Sequence, residues 1–274
     1  MSLFRPETIC IGISAAGAAL ARVAGGRTPR VLAETMVGFV LDPQAPLPGA
    51  LAAALADPQF KARRARVVLG DALVRYFVAA RPAGVRSRAE LVALVGARFE
   101  EQFGLPAADW EIACDLDPRA SSYLACAAPR RLVAALRDLC ARQGLRLQAL
   151  TPYAVSEINR WRTRVPAAPA WFAAVDGAAV PLALRTAQGW QGVRSHALPA
   201  AEPELGRYIR GLAERDALLH GVPPDAGIVC SGAIGAGLAA TAPGAPRLLG
   251  AGLWPGRNAA WSRSYRAALS GVWP

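Results

Sequence analysis

The chain has 274 residues, 53% of them hydrophobic and 19% charged, which allows a sizeable core and one large or two ordinary domains and excludes a disordered chain. A formal net charge of +11 would suit an anionic partner, yet Lys61 is the only lysine and the arginines are scattered among Ala, Gly and Pro. The densest cluster, Lys61 to Arg66, has no interleaved aromatics for base stacking, so it reads as a solvated segment before a strand, and nucleic acid is not an expected partner.

In chain order, Thr8 to Ser14, Ala18 to Val23 and Arg30 to Phe39 read as a three-strand meander with turns at Ala15-Ala16-Gly17 and Gly25-Gly26-Arg27. Thr8 to Ala21, preceded by Arg5, also mimics a secretory leader. Pro6, Glu7 and the internal glycines favour a retained cytoplasmic segment instead. Leu51 to Phe60 reads as a short Ala-rich helix. Arg66 to Asp71 and Leu73 to Val78 then read as two strands around a Gly-Asp-Ala turn.

Ser87 caps a helix that runs to Phe103, with Glu90 three residues on and Leu91, Leu94, Val95, Phe99 and Phe103 along one face; Gly104 and Pro106 stop it. Trp110 to Leu116 and Tyr123 to Ala127 form a second strand pair. Pro129 opens a helix to Gln143, which Gly144 ends. Leu145 to Leu150 is a further strand, leading through Thr151-Pro152 into a helix that ends near Trp161.

Arg162 to Pro169 has little to bury and marks a boundary or crossover. Beyond it a second meander is expected at Trp171 to Val175, Ala179 to Arg185 and Trp190 to Ala197. A helix from Glu202 to His220 shares Leu205, Ile209, Leu212 and Leu219 on one face, and Gly227 to Cys230 is a short buried strand before a glycine-rich turn. The order meander, helix, apolar strand thus occurs twice, the first time interrupted by an α/β unit.

Catalytic signatures are sparse. Cys10, Cys114, Cys126, Cys140 and Cys230 form no C-x-x-C pair and read as free thiols in a reducing compartment. His196 and His220 stand apart from any Ser or Cys motif, so neither a zinc site nor a triad is expected. Asp115 and Asp117 alternate on one strand and read as a solvated strand end. Walker and dinucleotide fingerprints are absent. Ala226 to Pro246 is uncharged, but it is broken by Gly and Pro and too weakly apolar for a spanning helix, so no transmembrane segment is expected. The tail from Leu253 mixes Trp254, Trp261, Tyr265 and Trp273 with arginines, which suits an interface or a lipid headgroup region, or a segment packed back on its own domain.

Ile11-Gly12-Ile13-Ser14-Ala15-Ala16-Gly17, followed by a strand, strand, helix, strand, strand, helix unit with junctions at Gln143-Gly144-Leu145 and Thr151-Pro152-Tyr153, resembles the actin-like fold of sugar kinases, heat-shock chaperones and actin. More narrowly it is similar to the PilM-like scaffolds of type IV pilus machines and the cytoplasmic domain of the L component of type II secretion. The resemblance covers about residues 8 to 240. It implies an α/β chain with a duplicated actin-like (ribonuclease H-like) fold: a first lobe over 1–165, with an inserted α/β subdomain at about 66–150, and a second lobe with the tail over 166–274, each lobe built on a mixed sheet.

The resemblance also implies where a nucleotide cleft would be. Its phosphate turns fall at Ser14, Ala16 and Gly17 and at Asp176 and Gly177, and its adenosine turn at Ser231, Gly232 and Gly235. The family's first turn carries Asp where this chain has Ser14, its second continues with a Gly and Thr run missing here, and its third has a glycine pair reduced to one. Asp176-Gly177 also suits an ordinary hairpin turn, and Ser231 to Gly237 suits a helix entry of small residues equally well. The expected cleft is degenerate, with no metal site and no resident cofactor, ATP and Mg being the pair it would otherwise take. The implied function is a cytoplasmic scaffold, peripheral to the inner membrane, that binds the cytoplasmic tail of a bitopic platform protein between the first core subdomain and the inserted unit and that could form homo-oligomers. The alternative is an active Mg-ATP-dependent ATPase or small-molecule kinase of the same fold.

Overall fold

The computed structural model describes residues 7–26, 29–81, 84–85, 87–115, 121–166, 169–198, 204–232, 246–249 and 268–270. The first meander is β1 (Glu7–Ser14), β2 (Gly17–Ala24) and β3 (Arg30–Gly38). After α1 (Gly49–Ala56) and a 3₁₀ turn at Pro58–Phe60, β4 (Arg64–Leu69) lies parallel to β1, and later β8 (Arg146–Pro152) lies parallel to β4. The sheet order is β3-β2-β1-β4-β8. The second meander, β9 (Ala170–Val175), β10 (Ala179–Thr186) and β11 (Gly189–Ala197), continues through α5 (Leu205–His220) to β12 (Gly227–Gly232) and β13 (Arg247–Leu248). Its order is β11-β10-β9-β12-β13, again three antiparallel strands followed by two parallel ones. The duplication read from element order is therefore a duplication of topology.

A third, antiparallel sheet of order β5-β7-β6 stands between these halves in sequence, made by β5 (Arg75–Ala80), β6 (Trp110–Cys114) and β7 (Ser122–Pro129). It carries α2 (Arg88–Phe103) and leads into α3 (Arg130–Arg142), β8 and α4 (Tyr153–Trp161). The Ser87 hydroxyl accepts the Glu90 amide at 3.1 Å, and Gly104 closes α2 in the left-handed region at φ 65°. Phe77 from β5, Phe99 and Phe103 from α2 and Trp110 from β6 form one aromatic cluster beneath that helix.

Four sequence expectations need correction. The strands around Gly70-Asp71-Ala72 are no hairpin: β4 belongs to the first sheet and β5 to the third. Val67, Val68 and Leu69 are buried in succession, as a strand flanked on both sides by parallel neighbours requires, and the 3₁₀ turn Asp71–Leu73 carries the chain out of one sheet into the other. Residues 64–69 and 146–152 accordingly lie in the first sheet, and the strands of the third run from 75 to 129. The Ala-rich helix stops at Ala56, because Asp57 turns extended and its carboxylate caps the separate Pro58–Phe60 turn. On α5 the buried face passes through Ile209, Leu212, Ala213, Asp216 and Ala217, whereas Leu219 is 64% exposed. Strand β6 ends at Cys114, so Asp115 follows it, and Asp117 lies outside the described residues.

The largest core cluster joins both lobes. Ile9, Ile11 and Ile13 of β1 and Val67 of β4 share it with Phe172, Ala174 and Val229 of the second sheet. Alternate residues of β9 (Trp171, Ala173, Val175) face the other way, onto Ile209, Leu212 and Ala213 of α5. At the far end of the chain, Ala268 and Leu269 are buried with Cys10, Ala19 and Ala21 on the first sheet; the tail's Trp254, Trp261, Tyr265 and Trp273 lie outside the described residues. No helix among the described residues is long and apolar enough to cross a membrane.

Candidate functional site

The duplicated topology brings the first hairpin turn of each lobe to one seam. In the first turn, the Ser14 hydroxyl donates to the Gly17 carbonyl at 3.2 Å and accepts the Ala16 amide at 3.3 Å, so it closes its own hairpin. Gly17, at φ 150°, passes so close to the Val37 carbonyl that a Cβ would overlap it. The turn geometry thus fixes the residue types at its end.

In the second turn, Asp176 is 6% exposed and its carboxylate faces inward. Oδ1 accepts the amides of Ala178 at 2.7 Å and Ala179 at 2.8 Å, and Oδ2 accepts the amide of Asp71 at 2.7 Å. Gly177 takes φ 89°, as the turn requires. Gly70 lets the strands meet here: its amide donates to Ile13 O at 2.7 Å, and a Cβ would lie 3.2 Å from that oxygen and 3.3 Å from Asp176 Oδ2.

Asp71 itself is 1% exposed. Its Oδ1 accepts the Tyr76 hydroxyl at 2.5 Å and the Ala154 amide at 2.9 Å. Burial, and then the nearby Asp176 and Glu157 charges, hold its carboxyl well above the usual aspartate range, against the pull of its hydrogen bonds. Glu157, on the buried face of α4, accepts from the Ser231 hydroxyl of β12 and from Trp161 Nε1 at 3.2 Å. Burial raises its carboxyl too, opposed by Ser231 and Arg160. Beside it Gly232, at φ 114°, pairs with Val175 and leaves no room for a Cβ between the Val175 carbonyl and the Tyr153 hydroxyl.

The seam therefore brings Asp176, Gly177, Ser231 and Gly232 together with Gly70, Asp71, Tyr76, Tyr153 and Glu157; Ser14, Ala16 and Gly17 close the neighbouring hairpin, and Gly235 lies outside the described residues. Sequence reasoning missed Asp71, Tyr76 and Glu157. Tyr153, Ala154, Glu157 and Trp161 lie at helical spacing on one buried face, so the position of Glu157 among apolar residues was the available signal.

A magnesium–triphosphate group needs outward carboxylates and turn amides left open toward phosphate. Here Ser14 supplies no carboxylate, and the Asp176 carboxylate binds the very amides of its own turn. The residues present do not fit such a group.

No protein-family model matches the chain, and no curated protein does. Solved structures do. The PilM-PilN type IV pilus biogenesis complex aligns with a TM-score of 0.59 at 15% identity, over 83% of this chain and 81% of that one. A Bacteroides thetaiotaomicron protein with an actin-like ATPase fold and unknown function gives 0.55 at 10% identity, over 86% and 87%. The cytoplasmic domain of EpsL, an inner-membrane component of the Vibrio cholerae type II secretion system, gives 0.53 at 14% identity, over 82% and 81%. With the repeated sheet order and the paired turns at the seam, these likenesses give the chain the actin-like fold.

Proposed function

We propose that this chain is a non-catalytic adaptor of the actin-like fold, working at the cytoplasmic face of an inner membrane within a type IV pilus or type II secretion platform. In this reading it holds the cytoplasmic tail of a single-pass membrane protein in the groove between the first lobe and the inserted unit. The observation that carries the non-catalytic part is the inward Asp176 carboxylate, committed to the amides of Asp71, Ala178 and Ala179. The platform part is supported by likeness to the PilM-PilN complex and to the EpsL cytoplasmic domain.

Thermal denaturation with and without Mg-ATP tests the first part. A ligand at one hundred times its Kd stabilises the folded state by about 2.7 kcal/mol, which moves a melting temperature by several degrees. No shift is expected; a magnesium-dependent shift that Asp176→Asn abolishes would establish the ATPase or kinase reading instead. Titration with synthetic cytoplasmic tails of platform proteins tests the second part, and absence of binding to all of them would refute it.

A further inference from the structure

An open basin of about 560 Å3 adjoins the seam, sharing Asp71, Tyr76, Ala178 and Ala179 with it, and extends between β11, the start of β5 and the C-terminal end of α2. We propose that this basin docks an extended peptide strand rich in Asp or Glu. The proposal does not rest on tail binding between the first lobe and the inserted unit, because the basin is walled on one side by β11 of the second lobe.

Charge is the first reason. Arg75 and Arg194 line the basin, both exposed and both permanently cationic, with His196 between β11 and α5. Asp216, 1% exposed on α5, holds two of these in place: its Oδ2 lies 3.2 Å from His196 Nε2 and its Oδ1 3.6 Å from Arg194 Nη1. Among the described residues of the lining, Asp71, buried beneath Tyr76, is the only carboxylate. The exposed charges among the described lining residues are thus positive, and the anchoring acid is turned away from solvent.

The second reason is main chain. Strand β11 is the edge of its sheet. Ala179 faces Ala197 in register, and the Leu198 amide bonds to Ala178 O at 2.9 Å. The alternation of an antiparallel ladder then turns the peptide groups of Val193, Ser195 and Ala197 away from β10, toward the side where β5 and β7 pack and the Ser122 hydroxyl donates to the Trp190 carbonyl. The Ala197 carbonyl is taken by the Tyr208 hydroxyl, at 2.8 Å, and Val193 is buried, whereas Ser195 is exposed in the basin. The Ser195 peptide group, without a backbone partner among the described residues and near Arg75 and Arg194, suits a strand that adds its own backbone and presents acidic side chains.

Fluorescence anisotropy on the full chain, without nucleotide, tests this with a labelled peptide of alternating Glu and Val and a control in which Lys replaces Glu. The acidic peptide should bind, more weakly as salt rises, and the basic one should not. Arg75→Glu should weaken binding about tenfold or more. Ser195→Pro removes an outward amide from an edge strand without touching the internal ladder and should weaken it as well. Circular dichroism melts establish that each variant is folded; if Ser195→Pro is not, the peptide methylated at its backbone nitrogens replaces it and should bind poorly. Equal binding of the two peptides, or undiminished binding to Arg75→Glu, overturns the proposal. So does displacement by citrate or phosphate combined with indifference to Ser195→Pro or to backbone methylation, which would identify a small-anion site.

Discussion

Asp176 Oδ2, at the end of β9 in the second sheet, accepts the amide proton of Asp71, just past β4 in the first, at 2.7 Å. With the Glu157–Ser231 hydrogen bond it ties the two lobes together. These bonds make the seam a structural joint.

Asp176→Ala should therefore be costly. It strands three amides, two of them buried, each losing a charge-assisted acceptor, and a loss of about 3 kcal/mol or more is expected. Asp176→Asn keeps one oxygen and should lose less. Urea denaturation of both variants measures the difference.

Asp71 gives a pH signature. Its carboxyl keeps its proton well above the ordinary value of 3.8, and Glu157 shifts in the same sense from 4.5. Between the unfolded and folded pKa the native state binds more protons, so the stabilisation is fully present below the unfolded value and is lost as pH rises through the folded one. Asp71→Asn keeps an acceptor for Tyr76 and Ala154 but cannot ionise. Relative to the unmodified protein its stability should increase progressively as pH rises; a constant difference would contradict this.

Gly232→Ala places a methyl group against the Val175 carbonyl and the Tyr153 hydroxyl at a backbone angle of φ 114°. Backbone strain and overpacking together predict a loss of about 2 kcal/mol or more. Gly144→Ala, at φ 66° with open space around it, should cost less in the same denaturation assay.

Burial pushes the thiols of Cys10, Cys126 and Cys230 up to about 12. These three should resist a disulfide reagent near neutral pH, and they should become reactive once urea unfolds the chain. Rapid labelling of Cys10 in the native state would refute this.

Local chemistry made much of the fold legible. The Ser87 cap, Gly104 and Gly144 are read directly, because each acts within a turn of its own helix. The β4–β5 junction was not: Gly-Asp-Ala looks like a hairpin until the parallel partners of β4, β1 and β8, are known. Leu219 fitted the helical period, yet α5 meets its sheet through Ile209, Leu212 and Ala213, and that depends on tertiary position. The same limit hid Asp71, whose partners Tyr76, Ala154 and Asp176 come from three separate parts of the chain.

The largest core cluster mixes Ile11 and Val67 with Phe172 and Val229, and the first sheet's outer face is covered by Ala268 and Leu269. During synthesis, the first strands are therefore fully sheltered only once Ala268 and Leu269 have been made. Until then those strands expose β-rich apolar surface, the condition under which nascent chains depend on chaperones. Deleting the segment that carries Ala268 and Leu269 should leave β1 to β3 intact in sequence but maturing poorly inside a cell.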